Sequence, residues 1–187
     1  VDVMPGKFPV LVSGGFLESR ANRPAGSLSA RCLVLDDVTT RAAIAVVDTL
    51  MKTREFCDEV KERAAKAAGI PADRILISAV HTHSAPSVMG ALGTGVQEDY
   101  VPVLRDGIVK GIVQAAGNLA PARVGWTVAD AREHTCCRRW ILRPDRVGTD
   151  PFGQRNVRAM MHPGYQSPNH VGPAGPIDPD LTLLAVQ

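Results

Sequence analysis

Residues 74–86 read RILISAVHTHSAP, and the fold turns on where this stretch changes character. From Arg74 to Val80, β-branched and aliphatic residues alternate with small ones, as in a buried strand; after His83, Ser, Pro and Gly dominate, as in a loop. His81 and His83, two of the five histidines in 187 residues, therefore stand where a strand gives way to a loop. Such a strand needs neighbours, and the sequence on both sides supplies them.

Upstream, ARCLVLDD (Ala30 to Asp37) and TRAAIAVVDTL (Thr40 to Leu50) are β-rich runs joined at Asp36 and Asp37, which predicts a hairpin. From Thr53 to Ala68, Phe56, Val60, Ala64 and Ala67 recur at helical spacing among Lys, Glu and Arg, and Gly69 and Pro71 close an amphipathic helix. Downstream, a second helix is predicted from Asp99 to Asn118, with Val101, Leu104, Ile108, Ile112 and Ala115 as its buried stripe. Pro102 falls in the first turn, where a missing N–H costs nothing. Pro121 to His134 reads as a long strand. Strands interleaved with two helices predict an α/β (α+β) fold, a mixed β-sheet with helices packed on it.

From Arg138 to Asp180, Pro and Gly are frequent and apolar runs scarce, so this segment is expected to be a long irregular connection. The chain opens at Val1 without the n-region or h-region of a signal peptide. It closes at Gln187 within LTLLAVQ, a strand-like run with no turn after it. The expectation is that residues 1–187 form part of a larger catalytic domain.

Composition narrows the function. With 45% hydrophobic and 21% charged residues and no apolar run near the length of a membrane span, the chain has the make-up of a globular domain. Its formal net charge of +2 gives no argument for nucleic acid or a membrane surface as partner. Cys32, Cys57, Cys136 and Cys137 show no C-x-x-C spacing and read as unpaired small apolar residues.

The histidine pair carries the chemistry. Residues i and i+2 of a strand share a face, so if the extended geometry persists His81 and His83 address one pocket at the sheet's edge. Neutral imidazoles so placed suit zinc, either both as ligands or one as ligand with the other moving protons beside it. The plainer alternative is a pair of surface-loop histidines. Position favours a site, because the carboxyl end of a strand in an α/β sheet is where ligands commonly bind. The metallo-β-lactamase pattern H-x-H-x-D-H fails at Ala85 and Pro86, and the eight-fold repeat of an amidohydrolase barrel is missing.

ILISAVHTHSAP, followed by a helix ending in Ala116-Gly117-Asn118-Leu119-Ala120-Pro121-Ala122, resembles the neutral/alkaline (non-lysosomal) ceramidase family, whose histidine motif runs T-H-T-H-S-G-P. The resemblance extends to Asp2-Val3-Met4, Gly14-Gly15-Phe16, the Ala30 to Asp37 run, Arg138-Arg139 and Asp178 to Leu184, in the same order. It implies the amino-terminal part of a zinc-dependent amidohydrolase that cleaves the N-acyl bond of ceramide, or of a related lipid amide, to sphingosine and fatty acid. It also implies export, as a secreted or periplasmic protein. By the same resemblance His81 is the zinc ligand, His83 and Arg138 are catalytic, and a substrate-side glycine is either Gly14 or Gly15.

The sequence departs from the family at Ala85, where Gly is usual, and at Cys137, where Asn is usual. Ser167 of the Gln166-Ser167-Pro168-Asn169 run, and His162-Pro163, precede the strand that the family's comparable motifs follow, and read as loop residues. The other ligands and the active-site Ser are expected beyond Gln187, so residues 1–187 alone are expected to be inactive. The alternatives are a metal-dependent hydrolase of another amide or ester, and a non-catalytic extracellular binding module on the same scaffold.

Overall fold

The computed structural model describes residues 1–161 and 167–187, which divide into two compact units, Val1–Ala120 and Pro121–Gln187. The fold is mixed α+β, with several sheets and two α-helices.

In the first unit, strands β1 (Val10–Val12) and β2 (Ser19–Ala21) form an antiparallel pair. Strands β3 (Ala30–Asp36), β4 (Arg41–Val47) and β5 (Ile75–Ala79) form a mixed sheet in that order, antiparallel between β3 and β4 and parallel between β4 and β5. The β3–β4 turn is built by its aspartates: Asp37 Oδ1 accepts the N–H groups of Thr39 and Thr40, and Asp36 accepts that of Val38 and binds Arg41. A parallel neighbour requires a crossover, and helix α1 (Arg54–Ala68) supplies it. Thr53 caps α1 by accepting the Phe56 N–H, and Gly69 ends it at φ 67°. Its buried residues are Phe56, Val60 and Ala64; the stripe closes on Ala68, and Ala67 is exposed.

Helix α2 (Val101–Gly117) lies against β3 and β4 and against α1. Leu104, Ile108 and Ile112 are fully buried, with Val101 and Ala115 packed beside them. A Cβ at Gly111 would stand 2.7 Å from Cys32 Sγ, so glycine here lets α2 come down onto the sheet. Burying that stripe with Ala43, Ala45 and Val47 of β4 makes one apolar core that also takes in Ile75 of β5. Tyr100, buried just before α2, donates its hydroxyl to the Val3 carbonyl at 2.7 Å, and its phenol is pushed well above the usual range chiefly by that burial.

In the second unit, β6 (Val124–Asp130) and β12 (Asp180–Val186) pair antiparallel in unbroken register, Leu184 opposite Trp126. The long strand expected over Pro121 to His134 thus stops at Asp130, whose carboxylate accepts the Arg132 N–H as the chain turns into a 3-10 segment at Arg132–His134. The connection expected to be irregular from Arg138 to Asp180 instead holds short strands. They are β7 (Arg139–Leu142), β8 (Gly148–Thr149), β9 (Arg155–Val157), β10 (Ala159–Met161) and β11 (His170–Pro173), with β7 central between β10 and β11. Strands of two to four mostly exposed residues between prolines and glycines are too brief to print a period-two pattern, which is why the sequence hid them. His162, Pro163 and Gln166 lie outside the described residues.

Candidate metal site

The histidine loop leaves the sheet where β5 ends. The Val80 N–H still donates to the Val47 carbonyl at 3.1 Å, after which His81 enters the left-handed region at φ 61°. The extended geometry that would put residues i and i+2 on one face therefore does not persist. A turn brings the rings together instead: their centroids lie 5.2 Å apart, edge to face at 70°. Histidine is among the few non-glycine residues enriched at positive φ, yet the conformation still carries a cost, and such costs collect at functional positions.

The Leu50 carbonyl, three residues beyond the end of β4, lies 3.1 Å from His81 Nδ1. A carbonyl only accepts, so Nδ1 carries the proton and the neutral ring keeps its lone pair on Nε2. The parallel neighbour of β5 thus fixes both the strand and the tautomer of the histidine that follows it.

His83 is held from another direction. A Cβ on Gly14, at φ 129°, would fall 2.5 Å from His83 Cγ and 2.6 Å from its Nδ1, so the imidazole lies across a bare backbone. The neighbouring Gly15 meets nothing closer than 3.5 Å. Of the two sequence candidates, Gly14 is therefore the one against the histidine. The loop is stitched to β1 to keep that contact: Ser87 N–H donates to the Leu11 carbonyl, the Gln97 N–H donates to the Ser87 carbonyl, and Gln97 Oε1 accepts the Leu11 N–H. Nothing local in the sequence announces a contact across so many residues; a glycine pair closing a short apolar strand was the available signal.

His83 opens on a cavity of about 640 Å³ that His81 does not line. Its walls are largely apolar, with Phe8, Val12, Leu28 and Val80 among them, and Thr82 and Ser84 add hydroxyls beside the imidazole. Asp48 also reaches this cavity. Burial pushes its carboxyl up, but the Arg31 guanidinium at 2.8 Å and the Ser29 N–H at 2.9 Å outweigh that and hold it below the usual range. Arg138 belongs to the second unit, where it lines an open hollow of about 660 Å³ with Cys137 and Asp178.

As donors, His81 and His83 fit the edge of a zinc site rather than a whole one. His81 has the arrangement of a ligand histidine, its second nitrogen donating to a backbone carbonyl. Among the described residues no group of three His, Cys, Asp or Glu converges on one point. Among the same residues no helix is long and apolar enough to cross a membrane.

No protein-family model matches the chain, and no curated protein matches it. Solved structures share its fold, two ceramidases among them. The neutral ceramidase of Pseudomonas aeruginosa superposes with a TM-score of 0.62 at 19% identity, over 82% of this chain and 29% of that one. A ceramidase complexed with C2 superposes with a TM-score of 0.53 at 20% identity, over 80% of this chain and 26% of that one. The chain thus spans less than a third of either protein, and what it has in common with them is a fold.

Proposed function

We propose that this chain is the histidine-bearing, amino-terminal part of an exported zinc-dependent amidase of the neutral ceramidase kind, cleaving the N-acyl bond of ceramide or a related lipid amide. The observation that carries the reading is the pair itself. His81 keeps a lone pair on Nε2 with its other nitrogen on a carbonyl, and His83 stands beside it at the wall of a largely apolar cavity. The fold shared with two ceramidases supports the same reading.

In this proposal His81 holds zinc through Nε2, with further ligands outside the described residues. Zinc, when bound, supplies Lewis acidity and lowers the pKa of a bound water toward neutrality. His83 takes a proton from the attacking water and returns one to the departing amine, a role suited to an imidazole, which can accept at one nitrogen and donate at the other. Gly14 leaves room for that ring, and the apolar walls receive hydrocarbon and exclude water.

The test is hydrolysis of ceramide by the full-length protein, followed as fatty-acid release before and after chelation and on return of zinc. Zinc-restored release of fatty acid supports the reading. Release of ester or other amide products with ceramide untouched would replace it with a different hydrolase, and zinc-independent behaviour would remove the metal.

A further inference from the structure

Three sulfur-bearing side chains meet at one hollow of the second unit. Cys136 and Cys137, adjacent in sequence, line the open hollow of about 660 Å³ together with Met161. Read from the sequence as small apolar residues, the two cysteines are not packed in a core. Cys136 is exposed and Cys137 half-buried, and Met161 is 53% exposed. Cysteine and methionine are among the residue types most often buried, so a gathering of their soft atoms at an open surface is not explained by packing.

The backbone accounts for the meeting. Consecutive residues of a strand face opposite ways, but both cysteines fall in the irregular link between the 3-10 segment at Arg132–His134 and β7, and both reach the same hollow. Met161 ends β10 directly opposite Arg139, the first residue of β7. The Cys137 thiol is tied to the same place, donating to the Arg139 carbonyl at 3.2 Å. That carbonyl also accepts the Ala174 N–H at 2.9 Å, so a Cys137 that gives up its proton leaves no orphaned acceptor.

The donor set selects its metal. Thiolate and thioether are soft ligands that favour copper(I) over hard cations. A zinc tetrahedron is not on offer, since among the described residues no group of three His, Cys, Asp or Glu is placed to hold a metal. Two thiols that bind one copper(I) release two protons and leave a complex of net negative charge. Arg138 and Arg139 line the hollow against the single carboxylate of Asp178.

We propose that Cys136, Cys137 and Met161 bind a soft monovalent metal ion of the copper(I) type through their three sulfurs. The site stands apart from the amidase reading, in the unit that does not contain His81 and His83.

The experiment is anaerobic competition for copper(I) between the reduced full-length protein and a chromophoric copper(I) chelator, with the ultraviolet thiolate-to-copper absorption read on the same samples. The wild type is expected to withdraw stoichiometric copper(I) from the chelator. Cys136→Ser with Cys137→Ser should weaken binding about 100-fold or more and abolish the absorption, and Met161→Leu should weaken binding about tenfold while the absorption survives. Cys57→Ser, in the first unit, is the control and should bind as the wild type does. Circular dichroism checks that each variant is folded. A wild type that takes up no copper(I), a double cysteine variant or a Met161→Leu variant that binds undiminished, or zinc(II) held at these sulfurs as firmly as copper(I), would each overturn the proposal. Hydrolysis is no part of this readout, so a protein inert toward lipid amides sinks the amidase reading alone.

Discussion

At residue 14 the missing side chain is a requirement of the site. Because an added Cβ would meet His83 Cγ at 2.5 Å and φ is 129°, Gly14→Ala has to move the imidazole or the backbone under it. A misplacement near 1 Å in a catalytic group costs about 10²-fold, so Gly14→Ala is expected to lower lipid-amide turnover by about 10- to 100-fold while bound zinc is kept. Paired measurements of turnover and zinc on that variant check it; Gly15→Ala, whose Cβ would meet the Leu17 carbonyl oxygen at an ordinary 3.5 Å, serves as the milder comparison. The histidines were legible in the sequence as a pair at the end of a strand, because strand and loop composition are local. The positive φ of His81 and the Gly14 contact were not. The first breaks the alternation on which sequence reading depends, and the second joins residues that only the packing of β1 against the histidine loop brings together.

At the scale of elements, the β3–β4 hairpin carries a strain that a substitution can relieve. Val38 sits at φ 77° with 97% of its surface exposed, a conformation poor for a β-branched residue and uncompensated by packing. Val38→Asn is expected to raise stability by about 1 kcal/mol, read as a higher urea midpoint at unchanged slope. Asp48, just past β4, gives a pH dependence of known sign. Its folded carboxyl titrates below its unfolded value, so its contribution is full above about pH 4 and is lost as pH falls through the depressed value. Asp48→Asn should therefore lower stability at neutral pH and lose less on acidification than the wild type, compared by urea midpoints at pH 7 and pH 3. Both helices and the hairpin were legible, since four-residue spacing, the Thr53 and Gly69 caps and the paired aspartates are written within a few residues. The strands β7 to β11 were hidden for another reason: each is short, and β7, β10 and β11 form by pairing across longer stretches of chain, while β8 and β9 hold only two or three residues each.

At the scale of the molecule, the first unit builds a sheet whose parallel strands β4 and β5 deliver a carbonyl and a histidine to the same edge, over a core that α2 can reach because Gly111 lets it approach. In the second unit, Arg138 lies immediately before β7. What stayed illegible at this scale is the ligand set of the proposed zinc, since a metal needs donors that converge in space and no group of three does so among the described residues. The central claim is the division of labour between those two histidines. It is tested most directly by measuring zinc content and ceramide hydrolysis on the same preparations of full-length wild type, His81→Ala and His83→Ala. The account predicts that His81→Ala loses both metal and activity, whereas His83→Ala keeps its zinc and loses turnover by about 10²- to 10⁴-fold. Stoichiometric zinc in His81→Ala, or lost zinc in His83→Ala, would contradict it.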